Sequence, residues 1–415
     1  MEILQTDILI VGGGAAGVAA AVGAARQGMR VILIEKNAYA GGNATAAEVG
    51  TVCGLYRFKK SETSEWLVKG FALQFAEALQ QNSQSHSLSN ASGLHYLPYQ
   101  ISAFKNLCSQ MLEENGVDVF FDTTISNAQL EENNISSVEI LKEDDVKSIQ
   151  PKAIIDCTGH SLVSQLAGLP TIKSDHYQAA AQVFTMAGLH LKEISEQGLS
   201  LILMKVLRSA ILNGQLTREY ENLYLVPGSL HEDGVSLKLG LPLAVTHTWE
   251  NAAELKKCAK EMVETLAAFL IDEVDIFSNA KLKHMADEPG IRVGFLSRGK
   301  YILSEDDVLK AKKFEDAIAN SSWPIEEWEL DKRVKMRYLD LGDYYQVPAR
   351  CLASDTVDNL FFAGRNISAT DGAIASARVM GTCLQTGYAA GVLAAYKAKG
   401  IPANQAIAAI QKEQL

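Results

Sequence analysis

The chain has 415 residues, 47% of them hydrophobic and 21% charged, with a formal charge of -11. This is the composition of an ordinary globular protein, and the length is that of roughly two to three structural units. The acidic balance argues against nucleic acid or an anionic membrane surface as a general partner, so any anionic ligand must meet a local basic site.

The first pattern runs from Asp7 to Glu35. Ile8 to Val11 reads as a buried strand, and Gly12, Gly14 and Gly17 follow at the spacing G-x-G-x-x-G. Ala15 to Arg26 reads as a tightly packed helix, Gly28 turns the chain, and Arg30 to Ile34 supplies a second buried strand with Glu35 at its end. Such a strand, helix, strand unit holds a dinucleotide. Gly12 permits the tight turn, Gly14 leaves room for a pyrophosphate, and Gly17 lets the helix sit close to the sheet, with the N–H groups of its first turn, at Ala15 and Ala16, toward the phosphates. Glu35, 18 residues past Gly17, is placed to accept hydrogen bonds from a ribose.

Ile8 to Ala25 is apolar enough to resemble a short membrane span, but its glycines and the surrounding pattern favour a buried strand and helix, so no span is expected. The N-terminus MEILQTD enters the first strand without a basic n-region, and a cytoplasmic protein is expected. The six cysteines are scattered, with no C-x-x-C pair and no zinc spacing, so neither a redox disulfide nor a metal site is expected.

Beyond Lys36 a short loop leads to Gly41-Gly42-Asn43-Ala44-Thr45. A dinucleotide unit that ends in an acid and is followed by a Gly-Gly turn resembles the FAD-binding proteins of the glutathione reductase type. The resemblance implies FAD as cofactor, with Glu35, Lys36, Gly41, Gly42, Asn43 and Thr45 in its binding set. Farther on, Trp66 to Gln80 reads as a helix, and the polar run QNSQSHSLSNASG as a mobile surface loop or lid edge that orders when a partner or substrate binds. Pro98 to Glu114 reads as an amphipathic helix and Val117 to Asp122 as a strand. The stretch up to Gln150, with polar turns at Glu131 to Asn134 and Glu143 to Asp145, reads as a three-stranded β-meander. The next strand, Ala153 to Asp156, ends in Cys157-Thr158-Gly159, which is similar to the second FAD-contacting turn of this fold. Thr158 and Gly159 are carried over on that likeness, and Thr124 and Ile125 as backbone beside the adenine.

Leu166 to Leu339 has a different character: a helical run LILMKVLRSAIL, a strand NLYLVPGSL, a turn at His231 to Gly234, a strand VSLKLGLPLAVT and a long helix from Ala252 to Phe269. No second G-x-G-x-x-G occurs, which argues against a separate nicotinamide domain like that of the disulfide reductases. The expected fold is α/β: a Rossmann-like FAD-binding domain with a β-meander, formed by residues 1–165 and 340–415, interrupted by an α+β substrate or cap domain, residues 166–339.

In the last third, Gly290-Ile-Arg292, Arg298 to Val308, Phe314 to Ala319 and Trp323-Pro324-Ile325 precede the strand Leu360 to Ala363, then Gly364-Arg365 and the helix TCLQTGYAAGVLAAYKA. These segments look like those of the broad FAD-dependent oxidoreductase family, related to the flavoprotein subunits of fumarate reductase and succinate dehydrogenase. By that resemblance Gly364, Arg365, Ala373, Ser376, Gly381 and Thr382 lie along the cofactor. The helix N-terminus points at the flavin N1 and C2 carbonyl, where its positive end stabilises charge on the reduced ring. No histidine lies between Lys36 and Lys60, where related proteins of the fumarate reductase type attach FAD, so non-covalent FAD is expected.

The family resemblance implies an FAD-dependent oxidoreductase, a dehydrogenase or oxidase moving hydride between flavin N5 and a small polar organic substrate, with an electron acceptor that stays unnamed. A flavin monooxygenase using NAD(P)H and a non-catalytic FAD-binding protein are the alternatives, and a homo-oligomer is left open. Bidentate pairing suits arginine to a substrate carboxylate, and Arg292, Arg298 and Arg350 are the candidates. Tyr301, Tyr344, Tyr345 and His247 are candidates for proton transfer or stacking, and Cys53 for a thiolate if a cation lowers its pKa.

Overall fold

The computed structural model describes residues 2–415 except 175–176, 191–193, 233 and 331–333. Its central element is a seven-stranded sheet with the strands in the order Asp118–Phe120, Val31–Ile34, Glu2–Val11, Asp145–Asp156, Asn134–Lys142, Thr124–Glu131, and with Leu360–Phe362 paired to Asp145–Asp156. Ile8 to Val11 runs parallel to Val31–Ile34, and all eight of these residues are buried, which is why both strands are written as unbroken apolar runs.

The helix Ala15–Arg26 covers this sheet and is itself covered by the helix Met380–Ala398. Their contact explains the small residues in both. A Cβ on Gly387 would meet the Ala16 carbonyl oxygen at 2.2 Å, and one on Gly391 the Ala20 carbonyl oxygen at 2.2 Å. The N-terminal helix is thereby sandwiched between sheet and helix, with Ala15 to Ala24 buried throughout.

The β-meander is present, with its turns at Glu132 and Glu143, each at a φ of 52°. The strand expected at Ala153 to Asp156 is not separate from it. One strand, Asp145–Asp156, pairs antiparallel with Asn134–Lys142 in its first half and parallel with Glu2–Val11 along its length, so the meander grows directly out of the central sheet. Two other expectations need correction. The helix expected from Trp66 begins at Gly70, because Trp66 instead bridges to Tyr56 and packs on its ring at 4.4 Å. The polar run after that helix is not a loop throughout. Gln81 to Ser83 finish the helix, and Leu88–Ser89 pairs with His95–Pro98, which pairs with Thr51–Cys53. Asn90 closes the intervening turn by accepting from the Ser92 and Leu94 amides, so here its abundant Ser and Asn serve turn chemistry.

A second hydrophobic core lies beyond the first. A four-stranded sheet in the order Leu223–Leu225, Gly234–Gly240, Ala181–Ala187, Lys281–Met285 packs one face on the helices Glu196–Leu212 and Trp249–Glu273. Strand alternation puts Val235, Leu237 and Leu239 into that core and turns Ser236 and Lys238 to the opposite face. Among the described residues no helix is long and apolar enough to cross a membrane, and no group of His, Cys, Asp or Glu is arranged to hold a metal ion.

Candidate functional site

The glycine turn after the first strand is shaped by contacts that differ at each position. A Cβ on Gly12, at a φ of +98°, would meet the Cys157 carbonyl oxygen at 2.7 Å, and one on Gly17 the Gly12 carbonyl oxygen at 1.8 Å. A Cβ on Gly14 would find nothing nearer than Gly42 Cα at 3.8 Å. Gly12 and Gly17 are therefore required by the fold itself, whereas Gly14 is extended and unobstructed, which fits a position kept bare for a ligand. Gly41 bridges to Gly14, so the Gly-Gly turn sits directly against this opening. Glu35 is buried; its carboxylate oxygens accept from the Gly13 amide at 2.7 Å and the Asn37 amide at 2.9 Å, and burial raises its pKa. Each oxygen keeps a lone pair, the capacity a ribose needs.

Other members of the expected set are employed within the protein. Thr45 donates to the carbonyl oxygens of Ala40 and Gly42, closing the Gly-Gly turn, and exposed Lys36 pairs with Glu288 at 3.0 Å. Thr158 is held by Asp156 through both its amide and its hydroxyl. Ser376 donates to the Trp323 carbonyl oxygen and pairs with the Tyr345 hydroxyl, so its side chain is spent on packing the helix Asp371–Ala377, where Ala373 is also buried. Ile125 is a buried residue of the meander.

At the other end of the site Gly364 lies against Ala16, and the guanidinium of Arg365 lies over Gly159, where a Cβ would meet Nη2 at 2.6 Å. Arg365 donates to the Ile291 carbonyl oxygen at 2.7 Å and makes no ion pair among the described residues. Gly381, in the first turn of the helix Met380–Ala398, is pressed on the Gly54 carbonyl oxygen, and Thr382 beside it is fully buried with an unpartnered hydroxyl. A bare Gly14, a cation without a counter-ion and an orphaned hydroxyl at a helix N-terminus together fit a dinucleotide carrying phosphates and a polar ring.

The Ile291 carbonyl oxygen also accepts from Asn43 Nδ2 at 2.8 Å, which brings the segment carrying Arg292 onto the Gly-Gly loop. Arg292 borders a shallow, open cleft between the second sheet and the segment Trp328 to Leu330. Tyr224, Lys238 and Trp328 line it with Ala179 to Ala181, Leu241, Glu329 and Leu330. The Arg292 guanidinium lies 4.3 Å from the Trp328 ring centre and Lys238 Nζ 4.9 Å from it. Behind them Glu326 accepts from the indoles of Trp323 and Trp328, and Arg378 donates to the Glu326 carbonyl oxygen at 3.1 Å. Burial and the neighbouring Arg292 push Lys238 down to about 8. Burial, with Glu326 nearby, pushes the Cys53 thiol up to about 12, so it is protonated and unsuited to the thiolate role.

Of Arg292, Arg298, Arg350 and Tyr301, the structure brings only Arg292 to the cleft. Arg298 is exposed and paired with Asp355 at 2.9 Å. Tyr301 donates to Asp307, the residue that completes the Ser304 capping box, and accepts from Lys312, while Arg350 pairs with Asp316 nearby. His247 packs against His160, Tyr177 and Phe295, Tyr344 against Arg57 and Lys313, and Tyr345 is buried. Tyr224, Lys238, Glu326 and Trp328 carry no motif. The available signal was Lys238 interrupting the apolar strand VSLKLGL, and the paired acids between two tryptophans in WPIEEW.

Over 195 residues the chain is 27% identical to digeranylgeranylglycerophospholipid reductase 1 of Methanococcoides burtonii, a match covering 46% of this chain and 47% of that protein, so the chain aligns with about half of that relative's length. A geranylgeranyl bacteriochlorophyll reductase-like protein of Thermoplasma acidophilum superposes with a TM-score of 0.49 at 14% identity, over 99% of this chain and 83% of the other. The anhydrotetracycline hydroxylase of Streptomyces rimosus superposes with a TM-score of 0.50 at 10% identity, over 99% and 65%, a likeness of fold. Residues 7–414 match the model of the FAD dependent oxidoreductase family, and the chain belongs to that family of enzymes, with FAD as its cofactor.

Proposed function

We propose that this enzyme is a dehydrogenase or oxidase acting on a small polar organic molecule held in the cleft beside Arg292. The observation that carries the reading is the Ile291 carbonyl oxygen, which ties Asn43 of the Gly-Gly loop and Arg365 of the C-terminal motif to the residue preceding Arg292. Cofactor turn and cleft wall are thus tied together by side-chain hydrogen bonds to one backbone carbonyl. FAD bound along the glycine turn supplies a two-electron acceptor for hydride. The protein's own residues bind and orient: Gly14 and the first turn of Ala15–Arg26 receive phosphates, Glu35 a ribose, and Tyr224, Lys238, Arg292 and Trp328 the substrate.

The same reading divides the chain into a cofactor part, residues 1–165 and 340–415, and a substrate part, residues 166–339, with the cleft on the face of the second sheet opposite its helices. The test is an anaerobic absorbance screen of the flavin-loaded enzyme against small polar compounds. Bleaching by an organic compound alone supports a dehydrogenase or oxidase, and oxygen uptake on readmitting air separates the two. Bleaching that requires NAD(P)H defeats this reading in favour of a monooxygenase.

A further inference from the structure

Three cations gather at the cleft without an ion pair among the described residues: Lys238 and Arg292 in its wall and Arg378 behind it. Lys238 contributes only ring contacts, to Tyr224 at 5.7 Å and Trp328 at 4.9 Å. Arg292 donates to the Ala179 carbonyl oxygen, and Arg378 to Gln178 and the Glu326 backbone, while its Nε is buried with no partner. The one carboxylate among them, Glu326, has each oxygen turned to an indole N–H. Glu329 is the one acid lining the cleft among the described residues. Apart from Asn222, the rest of the lining is small or apolar: Ala180, Leu241, Leu330 and the two aromatic rings.

Like charges repel and burial desolvates them, and Glu326 offsets only part of this, so the folded chain holds Lys238 and Arg292 at a cost. An anion placed between them offsets both terms, and the apolar lining favours a body without further charge. We propose that the substrate is an organic carboxylate with an apolar body, its carboxylate received by Lys238 and Arg292. This rests on the cleft being the substrate site.

The test uses calorimetric titration of the flavin-loaded enzyme with benzoate and with its neutral isostere benzamide at one ionic strength. Benzoate is expected to bind at least about tenfold more tightly than benzamide. Lys238→Met and Arg292→Met are each expected to weaken benzoate about tenfold while moving benzamide less than about twofold, and Lys238→Arg to restore most of the loss. Equal binding of the two probes by the unaltered enzyme overturns the proposal, whether or not any variant folds. So does a Lys238→Met enzyme that binds benzoate normally but shows a lowered flavin potential, since the cations would then serve the cofactor. Failure of the cleft as a substrate site is read separately, as the absence of any flavin bleaching in the substrate screen.

Discussion

Asn43 donates from Nδ2 to the carbonyl oxygen of Ile291 at 2.8 Å, a bond spanning 248 positions of sequence. It joins the loop after the first dinucleotide unit to the residue before Arg292. The Asn43 side chain thus holds the cleft beside Arg292 in register with the Gly-Gly turn.

Removing that bond with Asn43→Ala is expected to cost about 1 kcal/mol, because the Ile291 carbonyl keeps its bond from Arg365. Flavin retention should fall roughly fivefold, by the same free energy, and substrate affinity should fall with it. Dilution of the purified variant, with released FAD followed by its fluorescence, measures this. Unchanged retention with unchanged stability would show the bond to be idle.

Gly14 and Gly17 separate cofactor binding from folding. At Gly14 an added Cβ meets no protein atom closer than 3.8 Å, so Gly14→Val should fold with close to the thermal midpoint of the unaltered apoprotein and lose its yellow colour. At Gly17 a Cβ would stand 1.8 Å from the Gly12 carbonyl oxygen, so Gly17→Ala should lower stability by about 2 kcal/mol or more even without FAD. A Gly14→Val protein that stays fully flavin-loaded would displace the cofactor from this turn.

The first 35 residues could be read directly because dinucleotide binding by this unit is local: strand, turn, helix and acid all fall within one stretch of chain. The meander turns were legible for the same reason. The cleft was not. Lys238 meets Trp328 across 90 positions, and Arg298, Tyr301 and Arg350 carry the same chemistry as Arg292 but spend it on Asp355, Asp307 and Asp316. Which arginine is left without a carboxylate is decided by packing between distant segments. Thr45 and Ser376 show the converse, since hydroxyls of the right type at the right place are consumed by backbone carbonyls.

His160 and His247 pack against each other with a centroid separation of 4.8 Å and both pack on Phe295, and burial lowers both to about 4. Arg365 adds to the depression of each, and His160 to that of His247. The unfolded chain therefore takes up protons first, near the ordinary histidine value of about 6.5. Stability from this pair is complete above that pH and is lost as the pH falls toward 4. Thermal melts from pH 7 to pH 4 should show a smaller acid-side decline for His160→Phe than for the unaltered protein. Parallel declines would mean that the histidines accept protons without leaving their packing.

Lys238 gives the cleft its own pH dependence. Its amine, pushed down to about 8 by burial and by Arg292 and Arg378 against the opposing pull of Glu326, is the group facing the cleft whose charge changes just above neutrality. Arg292 and Arg378 stay cationic there, since a guanidinium is effectively always protonated, and Cys53 stays a thiol. The sign follows from the cation being the protonated form: an anion should bind fully below pH 8 and progressively more weakly above it. Benzoate titrations between pH 6.5 and pH 9.5 should therefore show affinity falling about tenfold at the alkaline end, with benzamide flat. The Lys238→Arg enzyme, charged throughout, should lose that alkaline decline while keeping its affinity for benzoate. A decline that persists in Lys238→Arg would assign the titration to a different group and leave Lys238 without a part in anion binding.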